Sequence, residues 1–334
     1  STQSGRGLCD DDNNAASGYA ADLPTTGRVA ASNLSAQIDF SPPNTGNFAD
    51  VSLVVGGYGN QSGEFILILE GMGVTNSDNA GDPFSVNLTQ AMVNSGVPLT
   101  VYMLARDTAL DPTMYRSDSS LTAVTDSNGN VIGCDDAGNG DLCWGDSVDL
   151  SNSSLTIEGG GLPGGPYDAM LSLPISGITL NSDRSQNYFN FVMTSSPQNA
   201  TTGQYVLAFH FGMSESASNG GKGSSNNSGD STNNGNNGGN TNNGSNFSGG
   251  NESSGGNETA PTQVPQNTNN TSNGVSVTCD NGASFDNGVQ VFFYEVPRNV
   301  TFTATAIGLN GFDPVLAVFD STGDGQCNDD ATGA

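Results

Sequence analysis

Short apolar segments alternate with polar turns along most of this chain. Each segment is rich in β-branched and aromatic residues, and Gly, Asn, Asp or Pro bounds nearly all of them. This is the pattern of strands and turns in β-sandwich proteins. One short helix is predicted at 89–94. The pattern predicts an all-β fold, with strands at 51–55, 65–69, 99–104, 205–209, 289–294, 300–304 and 315–319.

A long polar segment interrupts this pattern. Residues 214–274 consist almost entirely of Asn, Gly, Ser and Thr. Such a composition buries too little apolar surface to fold alone, so the segment is predicted to be a linker. As a free coil of about 60 residues it would have an r.m.s. span of roughly 40–45 Å.

Two sequence units recur on either side of this linker. A Cys-Asp-Asp step follows a turn at 7–12 and 132–136, and returns as Cys-Asn-Asp-Asp at 325–330. The copies at 132–136 and 325–330 are each preceded by an Asp-Pro, a strand and a hairpin turn, with the turns predicted at 126–130 and 320–324. The second unit is a turn with an N-x-S/T triplet followed by a strand, at 60–67 and 199–207. In both copies the triplet is expected at the tip of a hairpin.

The repeated segments carry a family resemblance. Residues 312–320 with 328–330 resemble the front half of the pre-peptidase C-terminal (PPC-type) β-sandwich domains of secreted microbial enzymes, and residues 36–67 resemble the back half. Residues 73–213 resemble the whole domain more loosely. The resemblance implies tandem PPC-like, jelly-roll-like units joined by the linker. It implies accessory folding, secretion or binding roles, with calcium in some relatives, and no catalysis.

The resemblance divides the chain into a back half (1–72), a complete unit (73–213), the linker (214–274) and a front half (275–334). A half-sandwich leaves an apolar face and an unpaired edge in water, so neither end is stable alone. Three arrangements remain open. The front half completes 1–72 of the next copy in a filament, the chain is part of a longer tandem array, or the two halves close within one chain.

The cysteines and the repeat bear on this choice. Cys134 and Cys143 are expected to pair with each other, and Cys279 with Cys327 inside the front half. Cys9 is left over, which suggests an inter-subunit bridge or a missing partner. The Cys-Asp-Asp step also occurs at both ends of the chain, so a fused unit would carry that strand twice. This overlap counts against perfect complementation and favours the longer tandem array. A filament or fibrous surface array is the favoured arrangement.

N-glycosylation triplets are unusually frequent. Together with the cysteines and a single lysine, they favour an extracellular or cell-surface glycoprotein. The candidate sites are Asn33, Asn60, Asn87, Asn152, Asn199, Asn226, Asn243, Asn246, Asn251, Asn257, Asn269, Asn270 and Asn299.

The charge restricts the partners. The chain has 34 acidic and 7 basic residues, for a formal net charge of −27. So few cations make nucleic acid an improbable partner. No apolar run is long enough for membrane insertion. The expected partners are other copies of the chain and covalent glycans.

The candidate chemistry is limited. Clustered Asp and Asn side chains in loops suggest calcium, although the same residues also shape ordinary turns. His210 is expected to be an ordinary strand histidine at the surface or rim, and no catalytic motif is present. We therefore expect a protein that is not an enzyme and requires no cofactor. The candidate calcium ligands are Asp10, Asp11, Asp12, Asp135, Asp136, Asp141, Asp329 and Asp330.

The favoured function is thus structural: a glycosylated fibril or surface array built by head-to-tail strand complementation. The alternative is a non-catalytic PPC-like accessory or adhesion segment, binding calcium or glycans, of a larger secreted protein.

Overall fold

The computed structural model describes most of the chain outside the linker. The described residues are 8–10, 20–23, 27–30, 32, 34–42, 48–74, 81–107, 109–135, 143, 156–158, 162–163, 168–180, 187–196, 201–214, 274–278, 284–297, 300–320 and 325–326. Contacts group Ser1–Ser216 with Pro265–Ala334 in one compact unit. The second unit, Ala217–Val264, lies outside the described residues, as does nearly all of the predicted linker.

The described part of the chain is built almost entirely of strands. The first ten are β1 (Leu8–Asp10), β2 (Ala20–Leu23), β3 (Gly27–Ala30), β4 (Ala36–Phe40), β5 (Phe48–Gly57), β6 (Gly63–Val74), β7 (Asp82–Asn87), β8 (Leu99–Ala105), β9 (Pro112–Ser117) and β10 (Gly133–Cys134). The others are β11 (Thr156–Glu158), β12 (Leu162–Pro163), β13 (Ala169–Leu173), β14 (Tyr188–Ser195), β15 (Gly203–Met213), β16 (Val275–Thr278), β17 (Ser284–Pro297), β18 (Phe302–Gly308), β19 (Pro314–Asp320) and β20 (Gly325–Gln326).

These elements confirm the all-β prediction and its seven predicted strands. The predicted helix is present as α1 (Gln90–Ser95). Thr89 caps it, because its side chain accepts a hydrogen bond from the N–H of Met92 at 3.2 Å. Gly96 ends the helix in the left-handed conformation, with φ of 72°.

All strand pairs are antiparallel. The largest sheet has ten strands in the order β1-β19-β5-β17-β7-β14-β9-β10, with β16 paired to β17 and β20 to β19. The second has six strands, in the order β13-β8-β15-β6-β18-β4. A small third sheet has the order β12-β11-β2-β3.

One apolar core lies between the two large sheets. In the ten-stranded sheet, the ring of Phe84 stacks on Phe191 and Phe293 with centroids 4.8 and 6.1 Å away. Phe209 of the six-stranded sheet meets Phe84 edge-on at 5.4 Å. All four rings are buried. The strands of both ends and of the middle of the chain therefore share this core.

The C-terminal strands occupy interior positions in both sheets. Strand β17 lies between β5 and β7, and β18 lies between β4 and β6. The segments 1–72 and 275–334 thus complete each other within the chain. Of the three arrangements that the sequence left open, this is the intramolecular closure. Pairing between copies stays a prediction.

The hairpin predicted at the two glycosylation turns is wrong. The Asn60 turn joins β5 to β6, which belong to different sheets. The turn after β14 joins it to β15, again in the opposite sheet, and Asn199 itself lies outside the described residues. Both edges of each flanking strand are already taken by other strands. The chain therefore crosses from one sheet to the other at these turns.

The turn predicted at 126–130 does form a hairpin. Oδ1 of Asp126 accepts hydrogen bonds from the N–H groups of Asn128 and Asn130 at 2.8 and 2.9 Å. Thr125 and Val131 form a bridge across it. The residues at 321–324 lie outside the described part, and the strands on either side of them, β19 and β20, pair with each other.

Candidate assembly interface

Two sets of strands repeat one pairing scheme. In what we call the central unit, β14 pairs with β7 and β9, β8 pairs with β13 and β15, and β10 pairs with β9. In the terminal unit, β5 pairs with β17 and β19, β18 pairs with β4 and β6, and β20 pairs with β19. If β17–β20 are read before β4–β6, the strands of the terminal unit follow the same order as those of the central unit. The two parts of the terminal unit come from opposite ends of the chain.

The two Asp-Pro motifs make the same contacts in the two units. The carbonyl of Asp111 accepts from the N–H of Ser196 at 2.8 Å, and that of Asp313 accepts from Tyr58 at 2.9 Å. The N–H of each aspartate donates to a side chain of the same turn, Thr201 Oγ1 at 3.0 Å and Gln61 Oε1 at 3.3 Å. Each Asp-Pro is therefore fixed to the sheet-crossing turn. In the terminal unit this contact joins Asp313 to Gln61, which are 252 residues apart in the sequence.

Glycines of the N-terminal part form two sockets for aromatic rings of the C-terminal part. The ring of Phe285 lies over Gly56 of β5 and covers a small apolar cluster on the outer face of the ten-stranded sheet. The ring of Phe312 lies over Gly57 and Gly63, and a Cβ on Gly63 would be 2.5 Å from Phe312 Cδ2. Phe312 also stacks on Phe65 at 5.8 Å. A side chain at Gly56 or Gly63 would displace the ring.

Polar contacts also join the two ends of the chain. They lie along both sheets and involve strand and turn residues. They are Gln37 Nε2 to Thr305 Oγ1 at 3.0 Å, Thr303 Oγ1 to Asp39 Oδ1 at 2.7 Å, the N–H of Asp286 to Asn60 Oδ1 at 2.7 Å, and the N–H of Glu295 to Asp50 Oδ1 at 3.2 Å.

One predicted disulfide is confirmed. Cys134 and Cys143 are bonded across a separation of nine residues. The Sγ of Cys134 is buried and accepts from the N–H of Met170 at 3.3 Å. Cys9 lies in β1, opposite Ala317. Cys279 and Cys327 lie outside the described residues, so their pairing stays a prediction.

The candidate calcium ligands are mostly outside the described residues. Asp135 is described, and its carboxylate accepts hydrogen bonds from the hydroxyls of Thr113 and Ser196. Within the described ranges, no group of three or more His, Cys, Asp or Glu side chains is placed to hold a metal. The backbone of Asp10 is described as part of β1. Outside the described residues lie Asp11, Asp12, Asp136, Asp141, Asp329 and Asp330.

Two of the candidate glycosylation sites are described, and they differ in exposure. Asn60 is exposed in the sheet-crossing turn, with φ of 64°. Asn87 is 6% exposed inside β7, and Thr89 of its triplet is 1% exposed. The other candidates lie outside the described residues: Asn33, Asn152, Asn199, Asn226, Asn243, Asn246, Asn251, Asn257, Asn269, Asn270 and Asn299.

His210 is buried, contrary to the expectation of a surface-facing histidine. Along β15, His210 alternates with Phe209 and Phe211. However, the face on which it lies is covered, and His210 Nε2 is 3.0 Å from Glu64 Oε2. Burial lowers the pKa of His210, and the contact with Glu64 partly opposes this. A pair of this kind between a buried histidine and an acid of another strand has no local sequence signal.

A half-buried acid, Asp82, was also missed from the sequence. The hydroxyl of Tyr205 donates to Oδ2 of Asp82 at 2.7 Å. Burial raises the pKa of Asp82 to about 6, the hydrogen bond from Tyr205 lowers it, and the charge of Glu295 raises it. Asp82 and Pro83 form an Asp-Pro step, like those at 111–112 and 313–314. That repetition was the available signal in the sequence.

No helix in the described ranges combines the length and apolar character that a bilayer span requires. No family model matches the chain, and neither the curated proteins nor the solved structures include a match.

Proposed function

We propose that this chain is an extracellular, glycosylated structural protein whose PPC-like sandwich units link head to tail into a helical fibril or surface array. Residues 275–334 of one copy complete residues 1–72 of the next. The protein is not an enzyme. The observation that carries the proposal is the interior position of β17 between β5 and β7 and of β18 between β4 and β6, strands that come from elsewhere in the chain.

Removing the C-terminal segment would leave two gaps in the ten-stranded sheet, where β17 and β19 lie, and one gap in the six-stranded sheet, where β18 lies. Strands β5 and β7 would lose their shared neighbour, and so would β4 and β6. Each gap exposes backbone N–H and C=O groups on both sides together with part of the apolar core. The aromatic sockets at Gly56 and Gly63 would be empty as well. Gaps of this kind accept added strands, and so favour strand complementation.

The same contacts can be made within one chain or between two copies. Residues 1–72 and 275–334 are connected in the chain only through the central unit and the predicted linker. The contacts between them therefore do not depend on which copy supplies residues 275–334. Between copies, the contact joins different surfaces of each subunit. A contact of this type does not close on itself unless the rotation forms a ring, and it extends into a filament.

Glycans and calcium belong to the same proposal. The confirmed disulfide and the exposed Asn60 are compatible with secretion and glycosylation. Calcium bound by the Asp-rich loops would neutralise part of a net charge of −27. Thermal melting with millimolar calcium tests this addition, and an unchanged melting temperature would reject it.

The main test is negative-stain microscopy of the purified full chain, with intact mass after deglycosylation. We expect uniform filaments for the natural sequence. Gly63→Ala blocks the Phe312 socket and should leave short or no filaments. Gly73→Ala is the matched control, since the nearest atom to its new Cβ is 3.5 Å away. Monomers alone for the natural sequence would overturn the proposal and favour the accessory or adhesion segment.

A further inference from the structure

Small polar side chains lie in one row across the outer face of the ten-stranded sheet. Ser85 of β7 is opposite Asn190 of β14, and Asn190 is opposite Ser117 of β9. Phe292 of β17 is opposite Ser85 and extends the row by one strand. The residue before Ser85 is Phe84, whose ring lies in the core. Because side chains alternate along a strand, the row faces away from the core.

Two aromatic rings lie beside this row. Tyr188 is two residues before Asn190 on β14, on the same face, and its ring meets that of Phe292 edge-on with centroids 5.8 Å apart. Ser85 and Ser117 are only 2% and 4% exposed, whereas Tyr188 and Asn190 are partly exposed. The serines therefore form the floor of a shallow site with the rings at its side. We call Ser85, Ser117, Tyr188, Asn190 and Phe292 the outer site.

Two groups of the outer site have hydrogen-bonding capacity that the described part of the chain does not use. The hydroxyl of Ser85 donates to Oδ1 of Asn190 at 2.6 Å, which fixes the orientation of the amide. None of the described residues accepts a hydrogen bond from Nδ2 of Asn190. On the neighbouring strand, Oγ of Ser117 is buried without a hydrogen-bond partner. Buried polar groups of folded proteins are nearly always paired, so this hydroxyl points to a missing ligand.

The chemistry of the outer site matches that of a sugar. A pyranose ring has a flat face of C–H groups that packs on an aromatic ring, and a rim of hydroxyls that both donate and accept hydrogen bonds. The outer site provides the ring of Tyr188, the free N–H groups of Asn190 and the hydroxyl of Ser117. None of its five side chains carries a charge, in a chain with a net charge of −27. An uncharged sugar fits this site better than an anionic one, which the chain as a whole repels.

We propose that the outer site binds a neutral polysaccharide, with one pyranose ring against Tyr188 and its hydroxyls hydrogen-bonded to Asn190 and Ser117. This binding goes beyond the proposed assembly. It requires Phe292 of β17 beside β7, as in the described sheet, whichever copy supplies β17. The site therefore lies where the central unit meets the C-terminal segment.

The test is titration calorimetry of the full chain after enzymatic removal of its N-glycans, so that its own sugars do not compete. The probes are neutral hexasaccharides of β-linked glucose, mannose and N-acetylglucosamine, with an oligogalacturonate as the anionic comparison. We expect at least one neutral hexasaccharide to bind. Tyr188→Ala should weaken that binding by about tenfold, since it removes the stacking ring. Tyr58→Ala is the matched control, because Tyr58 is an exposed tyrosine of the sheet-crossing turn and should bind the sugar like the natural sequence.

Asn190→Asp is the second variant, for the case that Tyr188→Ala folds poorly. It keeps an acceptor for Ser85 and removes the amide donor, so it should also lose affinity. Failure of every neutral hexasaccharide to bind the natural sequence would overturn the inference. Equal affinities for the natural sequence, Tyr188→Ala and Asn190→Asp would place the sugar elsewhere and overturn it as well. Binding of the oligogalacturonate alone would overturn the assignment to neutral sugars.

Microscopy of the same samples separates the two proposals. Filaments that bind no hexasaccharide overturn this inference and leave the assembly intact. Monomers of the natural sequence that bind a neutral hexasaccharide through Tyr188 overturn the assembly and leave the outer site intact.

Discussion

The aromatic ring of Phe285 lies over Gly56, in the space that a side chain at this glycine would need. Phe285 is 2% exposed and packs with Val54, Val277, Val315 and Ala317 in a cluster on the outer face of the ten-stranded sheet. One partner of this contact lies in each end of the chain. The contact therefore reports directly on whether the two ends are joined.

We predict that Gly56→Ala destabilises the protein. Overpacking of this kind costs about 1–3 kcal/mol, because the ring must leave its site or the two strands must separate. The free energy of unfolding from urea titration measures the effect. Gly73→Ala adds the same methyl group at ordinary contact distance and should change that free energy by much less. Equal values for the two variants would show that Phe285 does not occupy this socket.

Asp82 should make the folded state less stable as the pH rises from about 4 to about 6. Its pKa is about 6 in the folded protein against 3.8 for the free side chain, so the folded state binds the proton more tightly. In this window the unfolded chain releases that proton first, and the free energy of unfolding falls by about 2–3 kcal/mol. Asp82→Asn keeps an acceptor for Tyr205 and should remove this decrease. Parallel pH profiles of the two proteins would reject the assignment.

His210 should act in the opposite direction. Because burial lowers its pKa below 6.5, the unfolded chain binds the proton more readily than the folded chain. The contribution of His210 to the free energy of unfolding is therefore fully present above pH 6.5, and it is lost as the pH falls toward the folded pKa. We predict a flatter pH profile for His210→Gln between pH 7 and pH 5. Glu64→Gln is the companion variant. It removes the contact that favours the protonated ring, so the acid loss should become steeper.

The strands and the helix could be predicted because their signals are local. The apolar segments around Phe65 and Phe209 indicate strands whatever they pair with. In the terminal unit the C-terminal strands pair with N-terminal strands more than 200 residues away in the sequence. The choice between closure in one chain and pairing between copies leaves no local signal. The turn at Asn60 was misjudged for the same reason, since a hairpin and a sheet-crossing connection both place a polar turn between two apolar strands.

The disulfide in the central unit should stabilise that unit. Closing a loop of nine residues is worth about 2–3 kcal/mol in the chain-entropy model. We predict this loss for Cys143→Ala, which removes the bond but leaves buried Cys134 in its packing site. If the Cys134–Cys143 bond accounts for the whole loss of stability on reduction, the free energy of unfolding of this variant should equal that of the natural sequence in reducing agent. A Cys9→Ser variant tests whether other cysteines contribute.

The two described glycosylation triplets should differ in occupancy. Asn60 is exposed, and the hydrogen bond from the N–H of Asp286 goes to its Oδ1, which remains an acceptor after a sugar is attached to Nδ2. Asn87 is enclosed between β14 and β17, where a glycan would separate the strands. We predict a sugar on Asn60 and none on Asn87 in the assembled protein. Enzymatic deglycosylation in ¹⁸O water marks occupied sites as labelled aspartate, and Asn60→Gln should remove one glycan mass. A labelled residue at position 87 would mean that β7 is open when the sugar is added and does not take its described place.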